Sequence, residues 1–181
     1  MKKKENKVFI ATSLDGFIAD KDGGIGWLDT FPEINNIDSG YVDFTSGIDA
    51  LVMGRITFET VVGFDIDWPY EKPVFVVSNS ITEVPTKCKG KVQIVNGNLT
   101  EILTKIHSQG FNKLYIDGGK LIQSFLNEDL IDEMVITVIP VLLGEGHALF
   151  SQLTNQLVFK CVESKLFLKS IVQNHYRRER D

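Results

Sequence analysis

Histidine, cysteine and proline are all scarce in this chain. Three histidines, two cysteines and five prolines are spread over 181 residues, and each scarcity removes a class of chemistry. Cys88 and Cys161 lie far apart and form no C-x-x-C pair, so the sequence holds neither a disulfide framework nor a zinc-type thiolate set. A reducing compartment fits. His107, His147 and His175 fall on an expected helix, in the loop "LGEGHALF" and in the last expected strand. They make no metal-ligand spacing, so no metal is expected. The G-x-S-x-G elbow is absent and no Ser, His and Asp combine into a triad, which argues against a hydrolase.

Long apolar runs are missing too. None approaches the roughly 18 residues of a membrane helix, and the N-terminal stretch "VFIATSL" meets Asp15 at once, so it reads as a strand and not as a signal peptide. Positive charge is in short supply: 19 Lys and Arg stand against 24 Asp and Glu, a net charge of −5. Basic residues cluster only at Lys2 to Lys4 and in "RRER", Arg177 to Arg180, runs expected to be solvated. Without a basic face, nucleic acid is not an expected partner. The expectation is a soluble, cytoplasmic protein whose partner is a small molecule.

What the chain does have is alternation. Short apolar or β-branched runs recur at "KVFIATS" (7–13), "IDALVMG" (48–54), "PVFVVSN" (73–79), "KVQIVNG" (91–97), "KLYIDGG" (113–119) and "MVITVIP" (134–140). Nearly continuous apolar strands are covered on both faces, which predicts an α/β fold with a mostly parallel sheet and crossover helices. Asn98 and Glu101 have capping-box spacing ahead of a stripe of Leu99, Ile102, Leu103 and Ile106, and Leu121, Ile122, Phe125 and Leu126 share a second helical face. From Gln156 to Arg177 two alternating runs with a turn near Leu168 to Ser170 predict an antiparallel hairpin on the sheet edge. No repeat or linker divides the chain, so residues 1–181 are expected to form one domain.

Four glycine-bearing corners follow expected strands. In an open α/β sheet, ligands bind beyond the carboxyl ends of the strands, so these corners are where a site is expected. After "IDALVM" come Gly54, Arg55 and Thr57 at the start of a helical stretch, where free N–H groups, a cation and a hydroxyl suit a phosphate. Gly118 and Gly119 open a second helix after "KLYID" and let a backbone approach a ligand closely. Ser78 and Asn79 end a third strand as possible donors. The fourth corner, Ala11 to Asp29, carries four glycines and ends near Trp27, the composition of a cover over a ligand. Each also has a plainer reading as a turn; two phosphate-type corners on separate strands point more firmly to a dinucleotide than one does. If 34–47 is helical, Ile34, Ile37, Tyr41, Phe44 and Ile48 form its buried stripe. Asp38 then lies about 70° from the stripe's centre and Asp43 about 150°. Asp38 is therefore the preferred acid or anchor.

Taken in order, these corners resemble the dihydrofolate reductase fold. More closely, they resemble the C-terminal reductase domain of the bifunctional riboflavin-biosynthesis deaminase-reductase, as a free-standing member. The likeness runs from "VFIATSLDGFIA" through "ALVMGRITFE", "KPVFVVSNS" and "LYIDGGKLIQSFL" to "DEMVITVIPVLLGEGHALF". It implies a reductase that passes hydride from a dinucleotide of the NADPH type, NADH being the alternative, to a small heterocyclic or carbonyl-like substrate. It further implies that Gly54, Arg55 and Thr57 sit at the phosphates, Ser78 and Asn79 near the adenosine ribose, and Gly118 and Gly119 at the pyrophosphate and nicotinamide. Ala11 and Thr12 would bracket the nicotinamide through backbone groups, the loop from Asp15 to Trp27 would be the cover, and Asp38 would be the helix carboxylate.

The sequence departs from the family in three places. Asn79 and Ser80 stand where many relatives place an arginine for the 2′-phosphate, leaving Lys87, Lys89 or Lys91 to reach in. The deaminase pattern H-x-E…P-C-x-x-C is absent. No arginine set for a phosphoribosyl group or a folate tail is visible between Phe31 and Ile48. Two further readings follow: a dinucleotide-binding module without turnover, and a pyrimidine reductase of riboflavin biosynthesis that works beside a separate deaminase. The apolar "MVITVIPVLLG" strand and the edge hairpin, with the family's habit of pairing, predict a homodimer.

Overall fold

The computed structural model describes residues 3–180; Lys2 of the N-terminal basic run lies outside them. The chain forms β1 (Glu5–Ser13), β2 (Phe17–Ala19), α1 (Tyr41–Ser46), β3 (Ala50–Gly54), α2 (Arg55–Gly63), β4 (Val74–Val77) and β5 (Val92–Val95). There follow α3 (Leu99–Ser108), β6 (Lys113–Asp117), α4 (Gly119–Asn127), β7 (Glu133–Ile139), β8 (His147–Ala148), β9 (Phe159–Phe167) and β10 (Ile171–Arg178). Eight strands make one sheet in the order β5-β4-β3-β6-β1-β7-β10-β9. All neighbours are parallel except β7–β10 and β10–β9. The expected α/β class, with a mostly parallel sheet and an antiparallel C-terminal hairpin, is the one observed.

The strand composition explains the layering. Along β3 and β6 successive residues are buried on both sides, as strands between two helical layers must be. One face packs against α3 and α4 through Ile102, Ile106, Ile122 and Phe125. The other packs against α2 through Phe58 and Val61, with Phe44 of α1 alongside. α3 begins with the expected capping box: Asn98 Oδ1 accepts from Glu101 N–H at 2.9 Å, and Glu101 Oε2 accepts from Asn98 N–H at 3.0 Å. Among the described residues no helix is long and apolar enough to cross a membrane.

Two expectations need correction. The helix over 34–47 is interrupted: a 3₁₀ turn spans Pro32–Asn36, Ile37 is extended, Gly40 is left-handed (φ +80°), and only Tyr41–Ser46 is α-helical. Gly40 adopts a conformation that ends regular helix at little cost, so the 3.6-residue stripe that singled out Asp38 is not realised. Asp38 is exposed in the break, and its Oδ1 accepts the Gly40 N–H at 2.9 Å. The second correction concerns "RRER". Arg178 forms a bidentate pair with Asp129, at 2.7 and 3.0 Å, and its side chain is only 11% exposed. Arg180 reaches Asp132 and Arg177 reaches Glu133. These arginines fasten the C-terminal end of the chain to the start of β7 and the loop before it, and their acidic partners are distant in sequence.

The hairpin turn falls where expected, with Ser170 N–H donating to Phe167 O at 3.0 Å. It is strained, because Leu168 and Lys169 both have positive φ, +51° and +59°, a conformation costly for side-chain-bearing residues. The double substitution Leu168→Asn, Lys169→Gly supplies the residues this turn favours and is expected to stabilise the protein by roughly 1 kcal/mol. Urea unfolding measures it, and an unchanged or lower midpoint would contradict the strain assigned to the turn.

Candidate functional site

Parallel pairing carries the ends of β1, β3, β4, β5, β6 and β7 to one rim. At β3 and β6, which are neighbours, the following helices leave on opposite faces of the sheet, α2 on one and α4 on the other. Such a switch in direction opens a crevice beyond the strand ends. The two glycine corners meet there. A Cβ on Gly118 would lie 2.3 Å from Thr57 Oγ1 and 3.8 Å from Gly54 N, and Gly118 itself has φ +94°. Only glycine fits. Beyond Gly54 the space is open, with no atom within 4 Å of where a Cβ would stand. Neither α2 nor α4 has a side-chain cap, in contrast to α3. Their first N–H groups and the positive ends of their dipoles thus converge on one crevice without a side chain to satisfy them.

The other side of β6 splits away from β1. Their ladder runs only from Glu5↔Lys113 to Lys7↔Tyr115, while β1 continues beside β7 as far as Ser13↔Ile139. Where the ladder stops, the Tyr115 hydroxyl donates to Phe9 O at 2.8 Å. Glu5 N–H points to the β6 side and Asn6 O to the β7 side, and a parallel ladder keeps that alternation. Ala11 therefore turns its N–H and C=O into the gap, where β6 offers no partner, whereas Thr12 turns its own towards β7. The gap is a slot with backbone donors and acceptors on its wall.

On the α1/α2 face the slot is walled by aromatic rings. Phe9 packs on Tyr41 and Phe44, Phe44 on Tyr115, and Trp68 on Phe58 and Tyr70, with centroids 5.1–5.9 Å apart. Trp68 is 7% exposed, and its Nε1 is a buried donor with no partner among the described residues, an uncommon state for such a group. Asp117 closes the floor. Part of it remains exposed at the bottom of the cleft, yet protein packs round it, and this burial pushes its carboxyl from 3.8 up to about 6. The Gly118 N–H, 2.8 Å from Oδ1, opposes the shift only in part. Burial, reinforced by the Asp117 charge, also raises the Tyr41, Tyr70 and Tyr115 phenols. A carboxyl that gains and loses its proton near neutrality, beside flat rings, can hold or deliver a proton to a planar ligand.

The remaining expected residues are placed as follows. Arg55 is at the rim as the first residue of α2, and its guanidinium pairs with Glu59 at 2.7 Å. Ser78 is buried, and its Oγ accepts from the Ser80 and Ile81 amides at 3.1 Å, which makes it a turn-former; Asn79 is exposed. Lys87 does not reach that corner. Its ammonium donates to the carbonyls of Val62 and Phe64 at the end of α2, and Lys91 precedes β5 at the opposite rim, its carbonyl accepting from Val74 N–H. Lys89, two residues earlier, closes the same turn. The cover is built as a clasp: β2 pairs with β8, Asp15 accepts from the Leu143 and Gly144 amides, and Ile18 lies against Gly119. This explains "PVLLGEGHALF" as the strap holding the glycine-rich loop. Asp117 is the residue that sequence reasoning passed over, although it shares the alternation of Lys113 and Tyr115 on the inner face of β6.

Two cavities flank this region. One, of about 340 Å³, lies on the α3/α4 face among Met134, Ile136, Phe159 and Tyr176, away from Asp117. The other, of about 280 Å³, adjoins the aromatic wall through Phe9 and Phe44 and is lined further out by Lys7, Glu133, Gln173 and His175.

Comparison with known proteins follows the same outline. The family model for the RibD C-terminal domain matches residues 7–172. The uncharacterized protein YwjB of Bacillus subtilis (strain 168) is 36% identical over 177 residues, covering 97% of this chain and 98% of that protein. A crystal structure from Shewanella sp. PV-4, of a protein provisionally named for riboflavin biosynthesis, is 53% identical. It superposes with a TM-score of 0.93 over 97% of this chain and 99% of its own. Dihydrofolate reductase from Enterococcus faecalis, solved with NADP(H), shares the fold, with a TM-score of 0.66 over 97% of each chain at 17% identity.

The Asp117 environment predicts a pH-dependent penalty. Its pKa is higher folded than unfolded, so the folded state binds the extra proton between about pH 4 and 6 and loses stability as pH rises through that window. At pH 7 the full penalty applies, so Asp117→Asn is expected to stabilise the protein by about 1–3 kcal/mol, with the gain shrinking towards pH 4. Urea unfolding at several pH values measures this, and a less stable variant at pH 7 would contradict the assignment.

Proposed function

The chain belongs to the RibD C-terminal domain family, and we propose that it is a reductase that uses a nicotinamide dinucleotide on a small planar substrate. The observation that carries this reading is the meeting of two uncapped helix starts over Gly118 and Thr57, next to a slot into which Ala11 turns free backbone groups. That geometry fits a pyrophosphate held by main-chain amides and a flat ring held edge-on.

In this reading Gly54, Arg55, Thr57, Gly118 and Gly119 hold the phosphates, and Ala11 hydrogen-bonds the nicotinamide amide, with Thr12 setting the strand end. Ser78 and Asn79 form the turn beside the adenosine ribose. When bound, the reduced nicotinamide supplies a hydride. The protein's own part is to orient the substrate against the ring wall of Phe9, Tyr41 and Tyr70. The β2–β8 clasp keeps water away, and Asp117 holds or releases a proton at its unshared Oδ2. Arg55 at the start of α2 and Lys120 at the start of α4 are cations at this rim, whereas Lys87 and Lys91 serve the opposite one. NADPH is therefore the proposed cofactor and NADH the alternative, according to whether Arg55 meets the 2′-phosphate. A ribosylamino-pyrimidine, reduced beside a separate deaminase, is the second reading, favoured by the family. Against it stands the absence of any lysine or arginine from residues 31–48 to grip a phosphoribosyl group.

Two experiments test the reading. Arg55→Ala is expected to weaken NADPH binding by roughly 1–3 kcal/mol, and to weaken NADH less, by calorimetric titration; equal affinity in variant and wild type removes Arg55 from the site. With substrate in hand, Asp117→Asn is expected to lower kcat by about 10²-fold or more and Asp38→Asn to lower it less, both leaving cofactor affinity nearly unchanged. A larger loss from Asp38→Asn would transfer the substrate-side role to Asp38.

A further inference from the structure

We infer that the substrate taken by this cleft is a planar nitrogen heterocycle that carries a positive charge and no phosphate, seated between aromatic rings with its N–H edge on the Asp117 carboxylate. The inference rests on the reductase reading only in calling that ligand a substrate.

The floor of the cleft supplies the first observation. Asp117 Oδ1 accepts the Gly118 N–H at 2.8 Å, and among the described residues no donor meets Oδ2 and no lysine or arginine lies beside the carboxylate. Its charge reaches the Tyr41, Tyr70 and Tyr115 phenols, so three rings gather round one acidic group. Phe9, Phe44 and Trp68 extend the wall at centroid separations of 5.1–5.9 Å, and Tyr41 leaves 37% of its surface open. A lone carboxylate in such a setting gains most from a cation that brings its own N–H donors. The electron-rich faces of tyrosine and tryptophan attract the same charge.

The segments that carry the rings supply the second, independent observation. Residues 37–47 bring Tyr41 and Phe44, and hold Asp38 and Asp43 without a lysine or arginine. Residues 63–71 bring Trp68 and Tyr70, and hold Asp65, Asp67 and Glu71, again without a lysine or arginine. All five acids are exposed. Lys87 reaches the second segment, but its ammonium donates to the Val62 and Phe64 carbonyls. In the adjoining cavity Lys7 is paired with Glu5 and Glu133, and Lys165 with Glu163. The approach is therefore negative, which draws a cation inward and repels a phosphate. Arg55 and Lys120 stand instead at the helix starts assigned to the dinucleotide.

Benzamidine, benzamide and benzoate share one planar shape and differ in charge, so they probe the cleft directly. Each is titrated into the full chain at pH 8, with and without saturating NADPH, and followed by backbone amide NMR. Benzamidine is expected to bind roughly tenfold or more tighter than benzamide, with shifts centred on Asp117, Gly118 and Tyr70, and benzoate more weakly than either. Asp117→Asn is expected to cut the preference to about twofold or less, whereas Asp43→Asn, which leaves the floor intact, keeps most of it. Benzamidine that fails to bind at millimolar concentration, benzamide or benzoate that binds as tightly, or a preference unchanged in Asp117→Asn would each overturn the inference. Failure of NADPH to bind removes the reductase reading instead, and the cation preference is still measured on the protein alone.

Discussion

A side chain at position 118 would bring its first carbon within 2.3 Å of the Thr57 hydroxyl, and the rest of the rim is arranged around that contact. Because β6 inserts between β3 and β1 in the sheet, it touches the α2 corner on one side and parts from β1 on the other. The contact locks two helix starts together, and the parting opens the slot. Neither feature needs a particular catalytic side chain. Both follow from strand order and from a glycine that tolerates positive φ where nothing larger fits.

Several unsatisfied groups gather in this region, and Asn6 Oδ1 at the start of β1 is a further one outside it. Helix α3 is sealed by a capping box, and the C-terminal arginines each have carboxylate partners. By contrast, α2 and α4 start without side-chain caps, Ala11 faces a gap, the Trp68 Nε1 has no acceptor among the described residues, and Asp117 is held against its ordinary protonation. Each costs stability on its own. Their concentration within one cleft is the pattern of a protein that trades stability for a prepared binding surface.

Much of this was legible in the sequence, for physical reasons. Strands buried on both faces show as apolar runs, and the capping box of α3 and the hairpin turn are local signals that depend on a few adjacent residues. The glycine corners could be placed on one rim because parallel strands must share an end. Other features depended on distant partners. The arginines of "RRER" look solvated until Asp129 and Asp132 arrive from about fifty residues earlier. Lys87 and Lys91 are near Ser78 in sequence, but the chain carries them back to the opposite rim before β5 begins. The regular helix that periodicity predicts over 34–47 is broken at Ser39-Gly40, where left-handed Gly40 starts a new helix. Asp117 has no local sequence signal, because the burial that raises its pKa comes from residues distant in the chain.

Dinucleotide binding at this rim requires amides from separate corners to meet one ligand. The most direct measurement is a backbone amide NMR titration of the wild-type protein with NADPH. Saturable shifts are expected to concentrate at Ala11, at Arg55 to Thr57 and at Gly118 to Lys120, with the cover residues near Ile18 following. Shifts confined to other surfaces, or none at saturating cofactor, would contradict it.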